Sequence, residues 1–324
     1  MDTDRSFEFI KFPTEAPSRE QLTGHDRLHV DRYHGSLTLE LTALTPVSIS
    51  AGITALGSDV GASAPLIRVM GQDPNGHPIL QGTSLKGCLR AVYETITNSS
   101  VGIEGTKVSG SHKPNKVEGR SLDDRRASEL SSAELVFGAL GFQGLISIAD
   151  AVGDRPLEVG YLPPMFEPKI GKGRKFYCHQ TPGILTSSPP HDRSVEPEKP
   201  PSPIQQAPTG SCFSTTLRFS NLTLAQLGGL LIALGLDSKY AFALKLGAGK
   251  GKGLGSVQVR LASHSISKGD TLTKARYLDY QVTKPRSEKT LIAAAVKEAH
   301  TTKLIHQGQL EQLQDILRPP GAKA

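Results

Sequence analysis

Residues 244–261, LKLGAGKGKGLGSVQVRL, constrain this chain more than any other stretch. Glycine recurs at alternate positions: Gly247, Gly249, Gly251, Gly253 and Gly255. Glycine brings no side chain to a core and loses more backbone entropy on ordering than any other residue. The stretch is therefore a loop, and a period-two run from Ser256 to Leu261 follows it as a strand. Two physical readings are open. One is a plain flexible turn. The other is a backbone surface that a phosphodiester chain approaches closely, with Lys245, Lys250 and Lys252 supplying charge. Five alternating glycines exceed what a turn needs, which favours the second reading. Gly249, Gly251 and Gly253 then join the three lysines as candidate contacts. The loop is not a P-loop, because the Gly-Lys pairs at 249–250 and 251–252 are each followed by Gly rather than Ser or Thr. It also lacks the βαβ context and downstream acid of a dinucleotide fingerprint.

Charge permits a polyanionic partner without demanding one: 37 Lys and Arg against 31 Asp and Glu give a formal +6 over 324 residues. Trp is absent and aromatics are only 5% of the chain, which excludes a broad stacking platform. Cys88, Cys178 and Cys212 lie far apart without CxxC spacing, so they read as free thiols rather than a disulfide framework or zinc cluster. The opening MDTDRSFEFIKF has no apolar signal region. No run of about 18 apolar residues suggests a membrane span. A cytoplasmic location with no membrane partner is the expectation.

Along the chain, residues 1–34 read as an irregular polar arm. Leu37, Leu39 and Leu41 alternate with Thr38, Glu40 and Thr42 as a half-buried strand, and a short strand is predicted at Val47 to Ile49. Residues 51–64 read as a small-residue loop. A strand at Leu66 to Met70 and a turn at Asp73-Pro74-Asn75-Gly76 precede a helix from Leu85 to Thr97, capped by Thr83 or Ser84. Residues 98–130 form a long excursion without an apolar face. Residues 132–150 read as a short helix, a glycine turn and a strand from Leu145 to Ile148. Residues 187–210 are low-complexity and Pro-rich. A strand over 212–222, a helix capped near Thr223, and a strand over Val257 to Leu261 complete the pattern. Strand–helix–strand in both halves predicts an α+β, ferredoxin-like domain with insertions. Two further helices, Glu288 to His300 and Leu310 to Leu317, form a tail over 286–324.

Two other stretches carry candidate chemistry. In QGTSLKGCLR (81–90), Ser84 stands at a predicted helix N-terminus, with Lys86 and Arg90 one turn apart. That is either an anion site or an ordinary capped helix. In GKGRKFYCHQ (171–180), Lys172, Arg174 and Lys175 precede Phe176, Tyr177 and His179. Phe176 or Tyr177 could stack on a base, or the aromatics could be core and the cations a solvated face. His179 reads as a general base or as a structural histidine. No spacing of acids and histidines is diagnostic of a metal site.

Taken together, TPVSIS, LQGTSLKGCLRAVYE, ELVFGALGFQGLISIADA and KLGAGKGKGLGSVQV resemble the RAMP superfamily, the backbone and related subunits of CRISPR–Cas effector complexes. The match covers Phe137-Gly138, Asp150-Ala151 and most of residues 20–285. The arm GHDRLHVDRYHG, the stretch GRKFYCHQ and the long tail look like type III members, such as those of type III-D.

The resemblance implies an RRM-like domain over 35–285, with a thumb at 98–130 and an insertion at 163–211. It also implies guide RNA (crRNA) and target RNA as ligands, and other RAMP and large subunits of the complex as partners. The glycine loop and Lys86 would lie on guide phosphates. Type III backbone subunits often cut target RNA with an Asp before "x-P-[VI]-x-R". Here the segment is ASAPLIR, and Ser63 stands at the Asp position. Asp59 and Asp26 are the substitute candidates, with Mg²⁺ or another divalent cation as cofactor. Two other functions stay open: a guide-processing endoribonuclease using His25, His29 or His179, and an α+β enzyme binding a phosphorylated small molecule at the glycine loop.

Overall fold

The computed structural model describes residues 6–101, 110–114, 117, 128–164, 173–179, 201–278 and 289–319. Its strands are β1 (Phe7–Ile10), β2 (Arg19–Gln21), β3 (Tyr33–Ala43), β4 (Ser50–Leu56), β5 (Leu66–Met70), β6 (Ile79–Leu80), β7 (Glu129–Ser131), β8 (Gly138–Ala139) and β9 (Phe142–Gln143). They continue as β10 (Ile146–Ile148), β11 (Ala151–Gly153), β12 (Glu158–Leu162), β13 (Arg174–Tyr177), β14 (Ser202–Gln206), β15 (Cys212–Leu222), β16 (Leu244–Lys245) and β17 (Ser256–Lys268). The helices are α1 (Gly82–Ile96), α2 (Ser132–Phe137), α3 (Leu224–Ala233), α4 (Gly269–Leu278), α5 (Lys289–Thr301) and α6 (Gln307–Ile316). Helix and sheet mix along the chain, as an α+β reading requires.

The main sheet runs β16-β17-β3-β15-β11-β6, and β10 also pairs with β15. β3 is central and antiparallel to both β15 and β17. Its period-two pattern explains its orientation: Leu37, Leu39 and Leu41 are buried, as are Phe213, Leu217, Val257 and Val259 on the neighbours. The apolar stripe of α1, Leu85, Leu89, Val92 and Ile96, is buried against the same core.

The start of α1 departs from the sequence reading. Its N-cap is Gln81, with no side-chain cap bond, and neither Thr83 nor Ser84 fills the role. Instead the Gly82 N–H donates to Asp150 Oδ1 at 2.7 Å. Gly82 lies hard against the Ile148 carbonyl, where a Cβ would collide. The turn between β10 and β11 therefore passes close enough for Asp150 to reach in. α3 begins as read, with Thr223 and Gln226 forming a capping box.

A second sheet has the order β12-β14-β5-β4. Here the sequence reading fails in both directions. Residues 50–56 form a strand where a loop was expected, and Gly57–Val60 form a 3-10 turn. Val47 makes only an isolated bridge to Ala207. β4 has no alternation to reveal it: Ile53 and Leu56 are both exposed, and pairing with β5 defines the strand.

The arm is also more ordered than its sequence suggests. β1 pairs with β13, and β2 with β7. Asn221 clamps the segment between β2 and β3. It is buried with φ of 57°, and its amide donates to the Gly24 and Arg27 carbonyls at 2.9 Å each. In the tail, Ala295, Ala299, Leu310, Leu313 and Leu317 are buried in the main core. Most of 98–130 and of 187–210 lies outside the described residues; within the first, Val117 packs with Leu130 and Leu135. No described helix is long and apolar enough to cross a membrane.

Candidate nucleic-acid interface

The glycines first serve the loop's own folding. Gly247, Gly249, Gly253 and Gly255 have φ of 73°, 68°, 91° and 78°, which L side chains rarely adopt. A Cβ on Gly247 would run into the Ser48 carbonyl, and one on Gly255 into the Leu246 carbonyl. One on Gly249 would stand 2.7 Å from Leu162 Cδ1. Backbone bonds close the loop: Leu246 N to Gly255 O and Ala248 N to Ser48 O, both 2.8 Å. Its tip, Lys250–Lys252, is a 3-10 turn between left-handed Gly249 and Gly253.

Lys245, though it reads as a surface cation, points inward. It is buried, and its Nζ donates to the Leu254 carbonyl at 3.0 Å, tying the two ends of the loop together. Burial lowers its pKa to about 8, with Lys250 also pressing it down.

Lys250 and Lys252 remain partly exposed at the tip. Gly251 sits over Tyr177: a Cβ there would be 3.2 Å from the ring. The Lys250 ammonium is 6.0 Å from the Tyr177 centroid, and the Lys175 ammonium 4.9 Å. Lys175 also lies 3.8 Å above the Phe7 ring, and Phe7 and Tyr177 meet edge to face with centroids 6.2 Å apart. Two stretches more than sixty residues apart, GRKFY and GKGKG, thus converge on one surface. β1 adds Phe7, which the sequence reading missed. Its only signal was the alternation of Phe7 and Phe9 in FEFIKF, too short to rank as a strand without its distant partner.

The other expected cations are engaged inside the protein. Arg90 Nε donates to Glu94 Oε1 at 2.6 Å, and Arg174 pairs with Glu94 from the other side. Glu94 is buried, as is Arg174, whose pKa burial lowers to about 10; it stays charged, with Glu94 as counter-ion. Lys86 Nζ donates to the Ile146 carbonyl at 3.0 Å, and its pKa is lowered by burial and then by Arg90. Ser84 lies in the first turn of α1, its hydroxyl 3.5 Å from Gln81 Oε1. Lys172 lies outside the described residues.

His179 is held at both ring nitrogens. Nε2 donates to the Ala243 carbonyl at 3.1 Å, and Nδ1 accepts from the Ser256 hydroxyl at 2.7 Å. Burial, with Lys245 nearby, lowers its pKa to about 4, so it is neutral at physiological pH. His25 Nε2 contacts the Gln143 carbonyl at 3.0 Å, and the ring stacks on Phe142. His29 donates its backbone N–H to Asn221 Oδ1 at 3.0 Å, and its carbonyl contacts His34 Nε2.

Asp59 is exposed in the 3-10 turn, where it accepts from the Ser58 hydroxyl at 3.3 Å. Asp26 is exposed in the arm. Among the described residues, no three His, Cys, Asp or Glu side chains converge where they could hold a metal ion. Asp59 and Asp26 thus stand outside any such three-residue group.

The family profile of the RAMP superfamily matches residues 40–258. Among solved structures, a chain titled "Type IV-B CRISPR Complex" is similar at 17% identity and a TM-score of 0.37, over 78% of this chain and 95% of that one. No curated protein matches significantly.

Proposed function

We propose, from the premise that the chain belongs to the RAMP superfamily, that it is an RNA-binding subunit of a type III CRISPR interference complex. In this role it holds the guide RNA backbone and the guide–target duplex, and packs against other RAMP and large subunits. Base pairing reads the target while the protein holds the backbone. The observation that carries the reading is the convergence of Lys175, Tyr177 and Lys250 on one surface, with Lys252 in the same 3-10 tip. Ammonium groups beside an aromatic ring suit phosphates and an unpaired base together. The strand order β17-β3-β15-β10, with α1 between β3 and β10 and α3 between β15 and β17, supports a ferredoxin-like, RRM-like core.

Within this proposal Lys86, Arg90, Arg174 and Lys245 position the surface rather than touch phosphate. The residues supplying direct charge are Lys175, Lys250 and Lys252. Metal-dependent cutting of target RNA at Asp59 or Asp26 is the finer claim. Among the described residues neither carboxylate belongs to a group of three potential metal ligands, so no cleavage step is derived. Guide processing through His179 has little support from a neutral imidazole engaged at both nitrogens.

A salt titration of single-stranded RNA binding to the full chain tests the reading. Each neutralised phosphate contributes about −0.7 to the slope of log K against log salt. Replacing Lys175, Lys250 and Lys252 together by Ala makes the slope shallower by about 2. Lys245→Met, which disturbs the loop from within, lowers affinity but leaves the slope unchanged. Salt-independent binding would instead favour the enzyme of a phosphorylated small molecule.

A further inference from the structure

A cleft of about 500 Å³ opens between the segment after the 3-10 turn and the second sheet. Ser63, Ala64, Pro65 and Leu66 form one wall; Tyr161, Pro201 and Pro203 form the other. Among the described residues, no charged side chain lines it. Its volume falls in the range of small-molecule sites, roughly 300–1,000 Å³.

The walls are braced from behind. Tyr161 and Pro203 are direct cross-strand partners on β12 and β14, so they share one face of the sheet. The opposite wall is tied back by Gly57 N to Pro65 O at 3.1 Å and Ala62 N to Gly57 O at 2.8 Å. Gly57 is buried so closely beneath Ala64 that a Cβ would collide with its carbonyl. The cleft is thus preformed. Leu66 stays 56% exposed at its edge, apolar surface with no described residue covering it.

The chemistry selects a flat, uncharged group. A tyrosine ring and prolyl rings offer stacking faces, and the Ser63 hydroxyl can bond a polar edge. The same strand connects the cleft to the cationic loop. Leu162, next to Tyr161 and therefore on the other face of β12, packs with Leu254 and Ile204 beneath the glycine loop. The loop and the cleft thus lie on opposite faces of β12; because β12 is an edge strand, a chain on the loop reaches the cleft by passing around that one strand.

We infer that this cleft receives one unstacked nucleobase of the RNA whose phosphates lie on Lys250 and Lys252. The inference rests on the RNA-binding reading and adds a base site to it. Ser63, where a cutting relative would carry Asp, then serves the base rather than the scissile bond.

The test measures binding of a 12-nucleotide oligouridine and of an abasic ribose-phosphate oligomer of equal length to the full chain. Tyr161→Ala is expected to weaken oligouridine binding about tenfold, within the range for loss of one stacked base. Tyr161→Phe retains affinity, and Ser63→Trp, which fills the cleft without touching the sheet, weakens it like Tyr161→Ala. All variants bind the abasic oligomer as the wild type does. Equal binding of oligouridine by wild type, Tyr161→Ala and Ser63→Trp overturns the base site; if Lys250→Ala still weakens it, the RNA-binding reading survives. Failure of both oligomers to bind overturns the two together. Competition for the cleft by a proline-rich peptide, with RNA binding unaffected, assigns it to a protein partner and also overturns the base site.

Discussion

Lys245 and Lys250 belong to one glycine–lysine run, yet the fold gives them opposite roles. Lys250 stays at the tip beside Tyr177, while Lys245 turns inward to the Leu254 carbonyl. Residue type and spacing could not separate them, because the difference lies in which way the loop closes. The same limit applies to Arg90 and Arg174, whose shared partner Glu94 lies on the buried side of α1. Position on a helix showed Arg90; it did not show what would pack over it. His179 carries a pH signature that follows from burial. Unfolded, it takes up a proton near its ordinary value of about 6.5. Folded, it resists protonation down to about 4. Between these values the unfolded chain binds the extra proton, so stability falls as pH drops through this window and is unaffected above it. The slope is at most about 1.4 kcal/mol per pH unit. Urea unfolding at pH 7, 5.5 and 4 should show this loss in the wild type and a flatter profile in His179→Gln.

At the scale of elements, strong patterns were legible and pairings were not. The alternation in β3, the stripe of α1 and the capping box of α3 announce themselves locally. β1 and β4 do not, since each is defined by a partner strand rather than by its own periodicity. The far half of β17 has the same difficulty: beyond Leu261 it runs largely exposed or half-buried, with Ile266 its one buried apolar residue. The C-terminal helices read as a tail but complete the core. α3 is buried along its length, and α5 crosses it where Gly228 lies directly against the Ala295 carbonyl and near Ala299. Side chains larger than hydrogen cannot be accommodated there without moving α5. Gly228→Val should destabilise the protein by about 2 kcal/mol, visible as a lower thermal midpoint. An unchanged midpoint would mean that α5 does not need this close approach.

At the scale of the molecule, the surface proposed for RNA is built from parts remote in sequence. β1 brings Phe7, β13 brings Lys175 and Tyr177, and the loop before β17 brings Lys250 and Lys252. The sequence named all but Phe7 as candidates, yet held them as two unrelated motifs. The β1–β13 pairing and the seating of Gly251 on Tyr177 join them, and both are long-range consequences of the whole fold. The family profile starts at residue 40, so Phe7 is an addition outside the matched region. The most direct measurement is photo-crosslinking of the full chain to single-stranded RNA carrying 4-thiouridine, with the attached peptides identified by mass spectrometry. The account predicts crosslinks on the peptides holding Phe7, Tyr177 and residues 249–253. Crosslinks confined to the open face of the main sheet, with these peptides unmodified, would contradict it.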